Sequence, residues 1–297
     1  MSDASKDEKQ TEIESKINLN NRFSILKRFL NVKGAVIGFC VLFFWLVVII
    51  FANQIAPYDP VENIAMARQP PSFEYFFGTD LLGRDILSRV IHGSRISLML
   101  GAISVIIGAI PGILLGLISG YFGKKIDAVI MRFLDALLAF PGILLALVII
   151  AAIGPSIQNV MIAVGISTLP QYARLTRGSV LTLKESAFVE AARVTGCKSW
   201  RIIFVHILPN CVAPLIILST LRVGNAILVG SGLSFLGMGA QPPTAEWGLM
   251  AATGRQVIDQ AWWISTFPGL AILSVVLAFN LIGDGLRSAL DPKLKIQ

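Results

Sequence analysis

The chain has 297 residues, of which 55% are hydrophobic and 14% are charged. A soluble domain carries about a quarter charged residues, so this composition excludes an ordinary water-facing surface and indicates a membrane protein. The formal net charge of +7 does not indicate nucleic-acid binding, because the basic residues lie beside apolar runs and form no stripe of their own. The three cysteines are odd in number and lack ligand spacing, so we expect neither a disulfide nor a metal site.

Long apolar runs predict an all-α, polytopic membrane protein with six transmembrane helices. One span needs about 20 mostly apolar residues. Gly154-Pro155-Ser156 divides the longest run into two spans. The predicted spans are residues 34–52, 96–119, 133–153, 157–176, 209–232 and 263–285.

The distribution of basic residues predicts the orientation of these spans. With both termini in the cytosol, 19 of the 25 Lys and Arg residues fall in cytosolic segments and five fall in outer segments. Cytosolic loops carry the excess of positive charge, so we expect cytosolic N- and C-termini and outer segments at 53–95 and 233–262. Residues 22–33 alternate basic and apolar side chains, which is typical either of an amphipathic helix on the inner leaflet or of an extension of the first span.

The second predicted span carries glycines at four-residue spacing, namely Gly108, Gly112, Gly116 and Gly120, with Gly101 one heptad earlier. This spacing puts them on one helical face, where another backbone can approach closely. Pro111 predicts a kink in the same helix. We expect the glycine face to pack on another helix, either of this chain or of a partner.

The segment Lys184–Val194 differs from the apolar runs around it. Its composition is helical, and Ala187, Ala191 and Ala192 give it a thin face that suits insertion into a groove of another protein. Glu190 stands beside that face and can accept hydrogen bonds or form a salt bridge. The segment therefore predicts a short docking helix, and the alternative is an ordinary connecting loop.

The residues that follow predict how this helix ends and the next span begins. Gly196 can take the left-handed conformation that ends a helix. Trp200 and Ile203 lie close to Lys198, a pattern that suits a helix resting on the membrane surface. Pro209 suits the first turn of the fifth span.

Arg222 is an ionisable residue near the centre of a predicted span. A charge there is costly, at least about 2.5 kcal/mol on insertion scales, so we expect it to face protein or water. Two interpretations stay open: a pore-lining cation that meets a carboxylate of the cargo, and a structural hydrogen-bond donor to carbonyls of a partner.

Polar residues are concentrated at the end of the first outer segment, namely at Asp80, Arg84, Asp85 and Arg89. Asp85 and Arg89 are four residues apart, a spacing that favours an ion pair on a helix. We expect this patch to order the outer loop against the second span and to form part of a surface that receives a partner on the outer side, with Asp80 and Glu246 accessible to crosslinking from that side.

The string Glu190-Ala191-Ala192-x3-Gly196-x9-His206-x-Leu208-Pro209 resembles the signature loop of ABC importer permeases, with His206 where the family has isoleucine. Further strings resemble the dipeptide/oligopeptide/nickel permease subfamily, in the branch of its second, C-type subunit, over about residues 22–292. They are Gly78-Thr79-Asp80-x-x-Gly83-Arg84-Asp85, Arg95-Ile96-Ser97-Leu98, Leu233-Ser234-Phe235-Leu236-Gly237, Gln241-Pro242-Pro243-Thr244 and Phe279-Asn280.

The resemblance implies a type I ABC importer permease fold in a bacterial cytoplasmic membrane. It implies a cytosolic tail with an amphipathic segment (1–33), a first transmembrane helix with its outer loop (34–95), a permease core (96–292) with a cytosolic coupling loop at about 184–206, and a C-terminal tail (293–297). It also implies that an ATPase docks on the residues of the signature loop, which are Glu190, Ala191, Ala192, Gly196, Leu208 and Pro209.

The resemblance further implies the partners: a second homologous permease, two cytosolic ABC ATPases and an extracytoplasmic substrate-binding protein. The chain itself contains no Gly-x4-Gly-Lys-Ser/Thr phosphate loop and no Gly-x-Ser-x-Gly string, so we expect no catalytic residues. ATP and Mg²⁺ then belong to the partner ATPases, and this chain binds no cofactor of its own.

The cargo and the class of transporter leave alternatives. Peptides are the expected cargo, and nickel or a nickel chelate is the alternative, since Gly230 stands where many peptide permeases of this branch carry an acidic residue. An ion-coupled secondary carrier is the alternative of a different class. Such carriers place several ionisable residues at mid-membrane, whereas here Arg222 alone is clearly so placed and Asp135 lies at the edge of a span.

Overall fold

The computed structural model describes residues 28–290, and over this range the chain is helical and forms no strand. Residues 22–27 of the predicted amphipathic segment 22–33 and the tail 293–297 lie outside the described residues. The helices are α1 (Lys33–Ile50), α2 (Ala52–Ile55), α3 (Ile86–Phe122), α4 (Lys124–Leu138), α5 (Gly142–Ile153), α6 (Ile157–Leu183), α7 (Ala187–Val194), α8 (Ser199–Phe235), α9 (Trp247–Arg255) and α10 (Trp263–Leu290).

Four of these helices, α1, α3, α8 and α10, are long and apolar enough to cross a membrane. They contain four of the predicted spans: 34–52 almost entirely, and 96–119, 209–232 and 263–285 in full. Helix α6 contains the predicted span 157–176, but its apolar run is diluted by polar residues such as Gln158, Asn159 and Gln171. By length and composition, the described helices therefore include four candidate spans, or five with the pair α4 and α5.

The predicted span 133–153 is broken rather than continuous. Helix α4 ends at Leu138, α5 begins at Gly142, and the two axes are bent by 89°. The cause is Pro141, which disfavours the helical conformation of Phe140 before it and starts α5 as its N-cap residue. The two helices count as one broken span or as a re-entrant segment.

The glycine row of α3 packs against α6 of the same chain. A Cβ atom built at Gly108, Gly112 or Gly116 would lie 2.2–2.6 Å from the nearest atoms of α6, among them the carbonyl oxygens of residues 165, 169 and 173. These distances are too short for a real Cβ atom. Only glycine lets the two backbones lie this close, because any side chain would push them apart. The predicted helix–helix packing is confirmed, and the helix that the row meets belongs to this chain.

Helix α3 joins two regions that lie about 55 Å apart, since it has 37 residues at a rise of 1.5 Å each. Asp85 caps its beginning, which we call the loop end, and Tyr121 lies near its other end, which we call the α7 end. At the loop end, Trp45, Trp247 and Trp263 belong to one buried apolar cluster. A second cluster runs along α3, α6 and α8 and includes residues of α7.

Candidate functional site

Helix α7 at the α7 end stops at a glycine with left-handed backbone. Gly196 has φ of +78°, its N–H donates to the carbonyl of Arg193, and the N–H of Cys197 donates to the carbonyl of Ala192. This pair of hydrogen bonds is a Schellman motif, which satisfies carbonyls that the helix end leaves free. The predicted left-handed role of Gly196 is confirmed.

The side chains of α7 divide into a buried face and an exposed face. Val189 and Ala192 are buried in the apolar cluster of the bundle, whereas Glu190, Ala191 and Val194 are exposed. Val194 is 84% exposed, which is unusual for a valine on a fixed helix. The prediction that Ala192 belongs to an outward thin face is therefore wrong, because helical geometry turns it inward beside Val189.

Helix α7 is attached to the ends of two long helices. The guanidinium carbon of Arg193 lies 5.7 Å from the centroid of the Tyr121 ring on α3. Its buried face belongs to the same cluster as Ile202, Ile203 and Ile207 of α8, all of which are buried. A displacement of α7 would therefore be transmitted to both α3 and α8.

The beginning of α8 contains a π-helical turn, Ile202–Ile207, before Leu208 and Pro209. Pro209 lacks an N–H and cannot continue an ordinary helical ladder. The π turn moves the ladder by one residue, with the N–H of Leu208 donating to the carbonyl of Ile203, and Asn210 Nδ2 donates to the carbonyl of His206 at 2.7 Å. Pro209 thus lies in the first turn of the regular helix, as predicted, but a π turn precedes it.

At the loop end, Asp80 organises the loop between α2 and α3, residues 56–85. Its Oδ1 accepts hydrogen bonds from the N–H groups of Leu82 and Arg84, and its Oδ2 accepts one from Arg84 Nε at 2.7 Å. Arg89 Nε lies 3.7 Å from the same oxygen. All three charged side chains are buried, so they order the loop and do not form an exposed surface.

The predicted ion pair between Asp85 and Arg89 is wrong. Asp85 caps α3, its Oδ2 accepting from both the N–H and the hydroxyl of Ser88 at 2.7 Å. Arg89 pairs with Asp80 instead, and its Nη1 donates to the carbonyl of Pro60 at 2.6 Å and to that of Pro243 at 3.4 Å. Arg89 therefore ties the 56–85 loop to the segment between α8 and α9.

Glu246 is fully buried, so the expectation that this position is accessible to crosslinking from outside is wrong. It caps α9, its carboxylate accepting from the N–H groups of Gly248 and Leu249 at 2.9 Å. Ser97 and Ser231 also donate to it at 3.4 Å. Burial raises the pKa of the Glu246 carboxyl above its ordinary value, and the hydrogen bonds oppose that rise.

Two ion pairs between α4 and α6 were not predicted. Arg177 Nε and Nη2 each lie 2.6 Å from a carboxylate oxygen of Asp127, and Arg174 Nη2 lies 2.6 Å from Asp135 Oδ1. In the sequence analysis these arginines entered only the count of cytosolic Lys and Arg residues. Opposite charges near the ends of neighbouring predicted spans were the available signal, but the sequence does not show that α4 ends at Leu138 and lies beside α6.

Arg222 lies in the middle part of α8, as predicted. Its Nε is buried and has no hydrogen-bond acceptor among residues 28–290. Ser219, one turn earlier on α8, accepts a hydrogen bond from the Tyr172 hydroxyl of α6 at 3.1 Å. Within the same residues, no group of three His, Cys, Asp or Glu side chains is placed to hold a metal ion.

Comparisons with known proteins decide the family. The family model described as "Binding-protein-dependent transport system inner membrane component" matches residues 112–296, and the model "N-terminal TM domain of oligopeptide transport permease C" matches residues 24–71. The chain belongs to the family of binding-protein-dependent inner membrane components. The resemblance drawn from the signature loop is therefore confirmed, and an ion-coupled secondary carrier is not supported.

Relatives of this inner membrane component match along nearly its whole length. It is 50% identical over 272 residues to the di/tripeptide transport system permease protein DppC of Pseudomonas aeruginosa (strain UCBPP-PA14), which covers 89% of each chain. It is 51% identical over 270 residues to the dipeptide transport system permease protein DppC of Escherichia coli (strain K12), covering 89% of this chain and 90% of that protein. It is thus a multi-pass permease of an ABC transporter and is not itself an enzyme.

A solved structure supports the fold independently. The inward-facing MetNI methionine ABC transporter matches with a TM-score of 0.56 at 15% identity, covering 68% of this chain and 97% of that chain. At such low identity the match shows the fold alone. The all-α architecture of this inner membrane component is therefore that of ABC transporter permeases.

Proposed function

We propose that this permease carries short peptides into the cell, as one of the two permease subunits of an ATP-driven importer. The proposal is supported by the relatives of about half identity, which are named for di- and tripeptides or dipeptides. Nickel or a nickel chelate remains the less supported alternative. The second permease subunit is a homologue of this chain, in keeping with the C-type branch that its sequence resembles.

The structural observation that carries the importer proposal is the exposed face of α7. An apolar and acidic surface made by Glu190, Ala191 and Val194 is presented on a helix whose other face is buried in the bundle. An ATPase that docks on this face can move α7, and α7 moves α3 and α8 through Tyr121 and the buried isoleucines. ATP and Mg²⁺ bind to the two partner ATPases, and this chain supplies the mechanical link.

The proposed topology has six spans and the type I importer fold. Helices α1, α3, α8 and α10 cross the membrane, α6 is the fourth crossing, and α4 with α5 forms a broken third crossing. The excess of Lys and Arg on the side that carries α7 supports cytosolic N- and C-termini in a bacterial cytoplasmic membrane. The loop end then lies outside.

On the outer face, the binding protein meets the 56–85 loop. The predicted outer-face residues act from the buried side of that loop, by holding it in one conformation. They are Asp80, Arg84, Asp85 and Arg89. Beside charged side chains such as Glu62, the loop exposes large apolar ones, with Phe73 98% exposed and Met66 78% exposed. Exposed apolar residues on an ordered loop are typical of an interaction surface.

The experiment that tests the proposal is uptake into proteoliposomes. The permease is reconstituted with its second permease and ATPases, with the cognate binding protein added outside and ATP inside. We expect a radiolabelled dipeptide to accumulate only with ATP and only with the binding protein. Accumulation of nickel in place of the dipeptide would support the alternative cargo, and dipeptide uptake that persists without ATP would overturn the importer mechanism.

A further inference from the structure

Helix α8 carries a short polar strip within its membrane-spanning part. Ser219, Arg222 and Asn225 follow one another at three-residue spacing, so they lie on the same side of the helix. Asn225 is exposed and Arg222 is half-buried. Polar and charged groups at this depth are rare on lipid-facing surfaces, so this side of α8 faces protein or a water-filled path.

Arg222 differs from three other buried or half-buried arginines, each of which pairs with a carboxylate, and from Arg95, whose Nε donates to the carbonyl of Ile49. Arg84 and Arg89 lie within ion-pair distance of Asp80, and Arg177 lies within that distance of Asp127. Within residues 28–290, Arg222 has no such carboxylate, and its Nε has no acceptor. A guanidinium is always charged, so Arg222, half-buried and with its Nε unpaired, is available to an anion from outside this set of residues.

Near Arg222, the packing of α6 on α3 and α8 is fixed by Tyr172, and none of these groups supplies that anion. Tyr172 of α6 is fully buried. A Cβ atom added at Gly112 of α3 would lie 2.7 Å from the Cβ of Tyr172, so α3 fixes the position of α6 at the level of Tyr172. The Tyr172 hydroxyl is already engaged with Ser219. Gln171, the neighbour of Tyr172, also has a buried Oε1 with no donor among the described residues.

We propose that Arg222 binds the C-terminal carboxylate of the peptide as it crosses the membrane, and that it thereby selects peptides with a free C-terminus. The inference rests on the proposed peptide import. Every unmodified peptide ends in a carboxylate, whatever its side chains, and the planar guanidinium fork matches a carboxylate with two parallel hydrogen bonds. Arg222 is then a specificity-determining residue that tolerates variation in cargo sequence.

The test compares Ala-Ala with its C-terminal amide in the reconstituted complex, for the wild type, Arg222→Gln and Arg222→Lys. The ratio of kcat/KM for the two peptides is measured in each, so that any preference of the binding protein is common to all three and cancels. We expect Arg222→Gln to lower kcat/KM for Ala-Ala by about tenfold or more, the loss typical of a charge-assisted hydrogen bond. Uptake of the amide should change little, and Arg222→Lys should lose less than Arg222→Gln.

Several outcomes would overturn the inference. Equal losses for both peptides would place the carboxylate partner of Arg222 in the second permease, and unchanged kinetics would leave Arg222 without a role in selection. Failure of both variants to assemble would make Arg222 a structural contact of the complex. A wild-type complex that takes up no dipeptide would instead refute the proposed function, so the two failures are distinguishable.

Discussion

The guanidinium of Arg193 on α7 stacks over the ring of Tyr121 near the end of α3, with 5.7 Å from the guanidinium carbon to the ring centroid. Tyr121 follows directly after Gly120, the last member of the glycine row that packs α3 on α6. The contact therefore connects the helix that we propose as the ATPase docking site to the most closely packed helix pair of the bundle.

Replacing Tyr121 with alanine should weaken coupling between ATP hydrolysis and uptake. A cation–π contact at an exposed site contributes about 0.5–1 kcal/mol, which corresponds to about a two- to fivefold loss of dipeptide transported per ATP hydrolysed. Tyr121→Phe keeps the ring and should behave as the wild type. If Tyr121→Ala transports with unchanged stoichiometry, the contact does not transmit motion.

Replacing Gly196 with valine should abolish uptake while leaving the permease in the membrane. No atom lies within 4 Å of the added Cβ, so the effect comes from the φ of +78°, which costs a side-chain-bearing residue about 1–2 kcal/mol and changes the angle at which α7 ends. Gly178→Val is the matched control, because Gly178 also has open space around it but is helical. Normal transport-coupled ATPase activity in Gly196→Val would contradict the role of α7.

Removing the carboxylate of Asp80 should destabilise the loop end. The change leaves Arg84 and Arg89 buried without their counter-ion, which costs about 3–5 kcal/mol. We expect a lower melting temperature in detergent and faster proteolysis of the 56–85 loop in Asp80→Ala than in Glu62→Ala, since Glu62 is exposed. Equal stability of the two variants would show that the buried charges do not order the loop.

Adding a methyl group at Gly116 should separate α3 from α6. The new Cβ would lie 2.5 Å from the carbonyl oxygen of Ala173, and overpacking of this kind costs about 1–3 kcal/mol. Gly232→Ala is the control, because no atom lies within 4 Å of its Cβ position. Gly116→Ala should melt at a lower temperature than the control, and the reverse order would mean that the glycine row is not tightly packed.

Stability should depend on pH through Glu246. Burial raises the pKa of its carboxyl above the ordinary value of 4.5, so the folded state binds this proton more tightly than the unfolded state. The proton on Glu246 therefore stabilises the folded state. This contribution is complete below pH 4.5 and is lost as the pH rises through the folded-state pKa. The melting temperature of the wild type should therefore fall relative to that of Glu246→Gln as the pH is raised from 4.5, and a constant difference would contradict it.

The sequence predicted features that depend on local spacing and on the backbone freedom of glycine. The row from Gly108 to Gly120 had to lie on one helical face, and the row does pack on a helix. Gly196 had to end a helix, and it does so with positive φ. The identity of the helix opposite the row could not be predicted, because the spacing of the glycines does not choose between the other apolar spans of this chain and those of a partner.

Features that depend on where a helix begins were predicted less well. Asp85 and Arg89 have the spacing of an ion pair, but α3 starts at Ile86, so Asp85 becomes its cap and Arg89 turns to Asp80 instead. Ala192 was placed on the exposed face of α7 and lies on the buried one, because the rotation of a short helix is set by what it packs on. Pro141 divides a run that hydropathy alone treats as continuous.

The central claim is that the exposed face of α7 docks on an ATPase, and cysteine crosslinking tests it most directly. In a background without the three native cysteines, Ala191→Cys is exposed to a short bifunctional reagent in the assembled complex, with the buried Val189→Cys as control. We predict a crosslink from Ala191→Cys to an ATPase subunit and none from Val189→Cys. A crosslink from Ala191→Cys to the binding protein, or to no partner at all, would contradict the account.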